Sequence, residues 1–374
     1  MKSTIFRVED SMYSFKPSEE QSMLVDAVKR FAENDLRPSA HDADEERELP
    51  SDVIEKGWEL GVLQASVPEQ YGGFGERSAV TGVLAGEELS WGELAGAMAI
   101  MAPTMYVLPI LIGGTEEQKK SLIPPVIEAD WKPYVTAFVE PQFNFYALDM
   151  NTTAIKGDSE YILQGEKIMV PFADQAESFL IFARLEDKTQ AFLVPPETEG
   201  LTVGERESLL GIQALPTFKL SLEEVHIPLE ARLGGEEGFD IQAVIDAANV
   251  ASAAFAVGVS RAAYEYSRDY AKEREAFGGP IAQKQTIAFM LAEMAIEIES
   301  IRLMVWEAAW RIDSGKEAAK EAYLAFMGAS DMAMMVTDRA VQILGGYGYI
   351  REYPAERWMR NGRGIPTFAG MAMV

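Results

Sequence analysis

Cysteine is absent from this chain of 374 residues. Disulfides, thiolate metal sites and cysteine nucleophiles are thereby excluded. Histidine occurs only as His41 and His226. The first lies in an acidic stretch and the second near the end of a strand-like segment, so both read as surface or loop residues. A histidine-built metal cluster or a Ser-His triad is not available. Positive charge is also scarce: 33 Lys and Arg stand against 59 Asp and Glu, a formal net charge of −26. Nucleic-acid backbones and anionic membrane surfaces repel such a chain, and no run of Lys or Arg offsets the repulsion. The acidity reads as solubility. No apolar run reads as long and uninterrupted enough for a membrane span. The start, Met1 to Asp10, lacks the apolar core of a signal peptide, so a cytoplasmic location is expected. Any redox chemistry needs a borrowed cofactor, because no side chain here supplies it.

What is present is a change of hydrophobic period. The length predicts two or three packed domains, read as residues 1–130, 131–236 and 237–374. The first zone is helical. Met23, Val25, Ala27, Val28 and Phe31 form an amphipathic segment that stops near Pro38, followed by an acidic solvated loop from Ala40 to Pro50. Helices follow over Asp52 to Glu59, Ala79 to Leu89 and Ala97 to Ile112, and another starts with Thr115 as N-cap. In the second zone the period is two. Thr152 to Lys156 and Tyr161 to Gln164 flank a Gly157-Asp158 turn. Ser178 to Arg184 pairs with Gln190 to Val194, and Phe218, Leu220 and Leu222 alternate with polar residues. This predicts a small antiparallel β domain. The third zone returns to helix. One Ala- and Val-rich helix runs to about Ala276. A second carries the stripe Ile287, Met290, Leu291, Met294, Ile298, Ile301 and Val305. A third ends at Gly345-Gly346 and a short fourth begins at Pro354. Long helices with short connections predict a four-helix bundle.

Three collinear blocks carry a resemblance. Leu60-Gly61-Val62-Leu63 precedes Val67-Pro68-Glu69-Gln70-Tyr71-Gly72-Gly73-Phe74-Gly75. Tyr270-Ala271-Lys272-Glu273-Arg274-Glu275-Ala276-Phe277-Gly278 is followed by Pro280, Ile281 and Gln285. Gln342-Ile343-Leu344-Gly345-Gly346-Tyr347-Gly348-Tyr349 precedes Glu352-Tyr353-Pro354-Ala355-Glu356-Arg357. Together they resemble the acyl-CoA dehydrogenases. The resemblance implies an α+β multidomain fold: an N-terminal helical domain, a central antiparallel β-barrel and a C-terminal four-helix bundle. It also implies FAD held between two subunits, an acyl-CoA substrate, and an electron-transferring flavoprotein as electron acceptor. In the family one subunit's β domain holds the isoalloxazine, and the neighbour's bundle reaches the pyrophosphate and adenosine. Here Arg274, Phe277, Gln285, Gln342, Gly345 and Gly346 would do the reaching. Arg274 can fork onto phosphate oxygens, Phe277 offers an apolar face, and the glycines let backbone N–H groups come close.

The inward half departs from that pattern. The family's Thr-Glu-Pro and Gly-Ala-Gly-Ser-Asp loop is here Val139-Glu140-Pro141-Gln142-Phe143-Asn144-Phe145-Tyr146, with Phe145 in place of the serine. Its Trp-Ile-Thr strand is Met169-Val170-Pro171, and Pro171 has neither hydroxyl nor N–H. The reaction needs a carboxylate near the α carbon of a thioester. The family's C-terminal Glu is replaced by Ala369, and the alternative position on the first bundle helix by Ala248. Asp246 lies two residues away, an offset that turns it to another side of the helix. The resemblance therefore implies a subunit without its own catalytic base, which completes the FAD site of a catalytic partner subunit in a hetero-oligomer. Two other readings stay open: a homo-oligomeric flavoenzyme with altered chemistry, and a non-enzymatic assembly protein.

Overall fold

A computed structural model describes residues 17–128, 130–368 and 370–374. The N-terminal decapeptide read above, and Ala369, lie outside the described residues. The first region is helical: α1 (Glu19–Phe31), α2 (Arg37–Glu46), α3 (Ser51–Trp58), α4 (Ala79–Gly92), α5 (Leu94–Ile100), α6 (Ala102–Gly113), α7 (Glu116–Leu122) and α8 (Pro124–Ile127). Ser18 and Thr115 each cap a helix with a complete capping box, closed by Gln21 and Gln118. Thr115 as N-cap is the residue the sequence indicated.

The expected stop at Pro38 does not occur. A π-turn over Ala32–Leu36 joins α1 to α2, and Pro38 sits in the first turn of α2, where its missing N–H is not needed. The acidic stretch is therefore helix rather than solvated loop, and His41 lies on it, exposed. Its acids are used. Asp44 is buried and accepts from Arg360 at 2.6 and 3.0 Å and from Arg351 at 2.8 Å. Period alone could not show this, because the stabilising cations lie over 300 residues further along the chain.

The middle region holds β1 (Tyr134–Ala137), β2 (Thr153–Lys156), β3 (Glu160–Pro171), β4 (Ser178–Leu185), β5 (Lys188–Val194), β6 (Leu201–Arg206) and β7 (Thr217–Pro228). Both expected hairpins form: β2 with β3 and β4 with β5, antiparallel. Phe218, Leu220 and Leu222 are buried on β7. The closed antiparallel barrel does not form. The order β1-β4-β2-β3-β7-β6, with β5 on β4, leaves a curled open sheet. It is mixed, because β1 and β2 both run parallel to β4. Parallel pairs need crossovers, which local alternation cannot reveal.

The last region holds α9 (Gln242–Glu273), α10 (Gln285–Asp313), α11 (Ala319–Leu344), α12 (Gly346–Tyr349) and α13 (Ala355–Gly364). Three helices are long; the expected fourth, α13, has 10 residues and packs on α9 and α11. Among the described residues α9 is the one helix long and apolar enough to cross a membrane, contrary to the sequence reading, but 83% of its apolar window is buried inside the protein. Met294, Ile298, Ile301 and Val305 of the α10 stripe are buried.

Asp313 ties the first region to the last. At the C-terminal end of α10, it accepts from Ser78 Oγ at 2.8 Å, Ala79 N at 2.6 Å and Val80 N at 3.1 Å. A carboxylate from one helix thus caps the N-terminus of another, with the dipole in its favour. Asp313→Ala is expected to destabilise the fold by about 1–2 kcal/mol. A lowered thermal midpoint is the measurement, and Asp313→Asn, which keeps an acceptor, should fall less.

Candidate functional site

Two groups of residues bear on a cofactor. The first stands at one end of the last region. Arg274 caps α9, and the chain then folds back on itself: Ala276 N donates to Gly279 O at 2.9 Å and Ile281 N to Arg274 O at 2.8 Å. At the tip Phe277 has φ 53 and is 92% exposed. A bulky residue in the left-handed region carries strain, and an exposed ring gains nothing from burial to offset it. Lys284 Nζ donates to the Phe277 carbonyl at 2.9 Å and holds the tip.

Arg274 is exposed and lies 5.7 Å from the Tyr347 ring centroid. Among the described residues it makes no ion pair. It shares an open cleft of about 510 Å³ with Tyr270, Ile343, Gly345, Gly346 and Tyr347. Gly345 has φ 61 and ψ −129, a conformation favouring glycine. Gly346 shows no such φ, and a Cβ built there meets nothing within 4 Å. This chain's own packing therefore does not require glycine at 346. The structure brings Arg274, Gly345 and Gly346 together. Phe277, Gln285 and Gln342 do not line the cleft and remain exposed beyond it.

The second group faces inward. Glu140 Oε1 accepts from Lys167 Nζ at 2.8 Å and from Thr152 N at 2.9 Å; Oε2 accepts from Asn151 N and Gln142 Nε2, both at 2.7 Å. Both partners of the pair are buried. Burial alone would raise the Glu140 carboxyl, but Lys167 and the other donors hold it down at about 2. Burial pushes Lys167 down to about 8 against the pull of Glu140. The sequence reading missed this pair. Its signal was a Lys two residues before Met169, inside β3, and a Glu inside the Val-Glu-Pro block just beyond β1.

Around the pair, space is filled by this chain. Phe145 turns in against Phe138 (5.9 Å between centroids, edge-on), and Phe138 packs on Phe182 at 4.9 Å. Met169 is buried at φ 53, in a bulge of β3, and its N–H is taken by Glu207 Oε2 at 2.9 Å. Where the base would stand, the neighbours of Ala369 are described. Phe368 is buried, and Gly370 (φ +79) lies so close under the Phe138 ring that a Cβ would collide with it. Met371, Ala372, Met373 and Val374 are all buried, and a Cβ on Gly82 of α4 would come within 2.7 Å of Val374. Asp246, on α9, is buried. Burial raises its carboxyl, and Gln242 Nε2 donates to it at 2.8 Å. Among the described residues no cluster of His, Asp or Glu could hold a metal.

A helical, sheet and helical chain with Arg274, Gly345 and Gly346 gathered at the end of its last helices is the arrangement that the resemblance to a class of flavoprotein oxidoreductases implies. Comparison with known proteins agrees. The sequence matches the acyl-CoA dehydrogenase N-terminal domain over residues 18–130, the middle domain over 136–225 and the C-terminal domain over 237–373. It is 35% identical over 376 residues to the mitochondrial short-chain specific acyl-CoA dehydrogenase of Bos taurus, covering 98% of this chain and 91% of that one. The butyryl-CoA dehydrogenase of Megasphaera elsdenii superposes with TM-score 0.86 at 32% identity over 96% of both chains. A Mycobacterium smegmatis glutaryl-CoA dehydrogenase in complex with FADH2 superposes with TM-score 0.85 at 25% identity, covering 94% of this chain and 91% of that one. The chain belongs to the acyl-CoA dehydrogenase family. Members of this family are FAD flavoproteins.

The residues present fit FAD unequally. The outward end fits: an unpaired exposed guanidinium, an exposed aromatic, and a glycine whose missing Cβ serves nothing in this chain. The inward side does not offer the usual bonds. Pro171 has no N–H, Val139 no hydroxyl, and the Met169 N–H is already spent on Glu207.

Proposed function

We propose that this chain is the non-catalytic subunit of a heteromeric acyl-CoA dehydrogenase: its bundle end completes the FAD site of a partner subunit that carries the base. The observation that carries the reading is the pairing of an open, unpaired outward cradle at Arg274 and Gly346 with an inward side filled by Phe138, Phe145 and residues 370–374. A homodimer needs both halves from one sequence; a shared site in a heterodimer needs one half from each chain. FAD supplies the hydride acceptor when bound. This chain's residues would hold its pyrophosphate and adenosine through Arg274, Phe277, Gln285, Gln342, Gly345 and Gly346. The outer faces of α10 and α11 carry exposed Phe289, Ile296, Leu303, Tyr323, Leu324 and Met327. Apolar groups of that size in water favour a neighbouring chain. The acyl-CoA would lie on the partner, and an electron-transferring flavoprotein would take the electrons.

A second reading, a homo-oligomeric enzyme with a relocated base, draws on Asp246, whose burial and raised carboxyl suit a proton acceptor. One experiment separates the two. Purified alone, the chain should be colourless or weakly flavinated and inactive towards short-chain acyl-CoA. Co-expressed with a family member that has the Glu, it should give a yellow, active complex. A fully flavinated, active lone chain that loses activity in Asp246→Asn would reverse the order of the two readings. Absence of flavin from every complex would leave an assembly protein.

A further inference from the structure

Residues 371–374 read Met-Ala-Met-Val, and all four are buried although they lie in neither helix nor strand. Among the described residues one hydrogen bond reaches them, from Met371 N to Phe368 O at 2.9 Å. We propose that they form a self-occluding plug: they fill an apolar slot on the inward side and are displaced from it by an unbranched acyl chain. The proposal rests on family membership and not on the subunit reading.

The slot has two fixed walls. Gly82 stands in the interior of α4, where glycine weakens a helix relative to alanine. The three atoms nearest to a Cβ built there all belong to Val374, at 2.7, 3.0 and 3.4 Å. Gly86, one turn further on, lies instead against the Phe255 ring of α9. The bare backbone at Gly82 thus makes room for residue 374 rather than for another helix. The second wall is Phe138, which meets Phe145 and Phe182 edge-on. Gly370 passes under its ring with φ +79, a conformation favouring glycine, and a Cβ there would collide with the ring.

A peptide is a poor occupant of such a place. Ala372, Met373 and Val374 are buried, and among the described residues their backbone N–H and C=O groups make no hydrogen bond. Buried backbone groups left unbonded oppose burial. The segment beyond Met371 is therefore held by its apolar side chains alone. A hydrocarbon chain fills the same space with no polar group to strip of water, so it competes well with the peptide. The acyl tail of a thioester has that character, and the family is named for acyl-CoA. The plug raises the concentration of chain needed to enter the inward side without barring it.

Calorimetric titration with octan-1-ol, an alkyl chain with a minimal head group, compares the full chain with one shortened to end at Gly370. Removing the plug leaves only the competent state, so the shortened chain should bind the alcohol roughly tenfold or more tighter. Its branched isomer, 2-ethylhexan-1-ol, should bind the shortened chain at least about threefold more weakly than octan-1-ol does. A second measurement uses the full chain and decides the matter if the shortened one fails to fold. Met373 and Met294 of α10 both have no exposed surface. Peroxide converts methionine to its sulfoxide where it can reach the sulfur, so both should oxidise slowly. Saturating octan-1-ol should speed oxidation of Met373 at least about threefold by driving the segment out, while Met294 stays protected. Equal binding of octan-1-ol by full and shortened chains, equal binding of the two isomers, Met373 oxidation unmoved by the alcohol, or Met373 and Met294 oxidising together would each overturn the inference. Neither readout involves flavin or a partner, so its failure is distinct from failure of the subunit proposal.

Discussion

Glu140→Gln is expected to cost about 3–5 kcal/mol of stability at neutral pH, because it leaves a buried lysine without its counter-charge. The amide also presents an N–H₂ where the carboxylate accepted from Lys167, Thr152, Asn151 and Gln142. The pH dependence gives a second signature. In the folded chain the Glu140 carboxyl sits at about 2, below its ordinary 4.5. Its stabilisation is therefore fully present above pH 4.5 and is lost as pH falls towards 2. The variant should lack this share of the acid loss. Lys167 behaves oppositely. Its folded value, about 8, already lies below the ordinary 10.5 and should drop further once Glu140 is gone. A lysine lowered in the fold gives stability that rises with pH between its folded and unfolded values. The variant should thus begin to regain stability at a lower pH than the parent, whose own rise begins only near pH 8. Thermal midpoints from pH 3 to 10 check both limbs. Parallel curves for parent and variant would show that the pair does not govern the inward side.

The parts of the fold legible in sequence were those set by neighbours along the chain. The Thr115 cap, both hairpins, the Ala- and Val-rich α9 and the α10 stripe all follow from period and capping chemistry. Pro38 misled because proline is a breaker inside a helix but is tolerated in a first turn, and a π-turn placed it there. The acidic stretch misled because its charge is matched by Arg351 and Arg360, far away in sequence. Open or closed sheet is likewise a long-range property: it depends on whether β1 meets β6, and nothing in either strand says so. At the site, motif blocks gave Arg274 and the glycines. They could not show that Phe145 would meet Phe138 edge-on, that Gly370 would lie under the Phe138 ring or that Val374 would pack on Gly82, since the last two contacts join the end of the chain to the middle and first regions.

Arg274→Ala should leave the lone chain as stable as the parent and weaken FAD in the co-expressed complex roughly 10- to 100-fold, the worth of one charge-assisted bond to phosphate. The expectation of an intact fold comes from exposure and from the lack, among the described residues, of any ion pair to lose. Arg274→Lys keeps charge without the planar fork and should fall between the two. Gly346→Ala is the sharper test. A Cβ there meets nothing in this chain, so packing within the subunit cannot respond. If the glycine exists for close approach of a cofactor on the partner, one methyl group should lower flavin occupancy of the complex while circular dichroism and melting of the lone chain stay unchanged. Flavin titration by fluorescence quenching reads the affinity directly. Should both variants form complexes with undiminished flavin, the outward cradle would have no role in the shared site. The openness at Gly346 would then be ordinary surface, and the asymmetry between the two sides of this subunit would rest on the filled inward side alone.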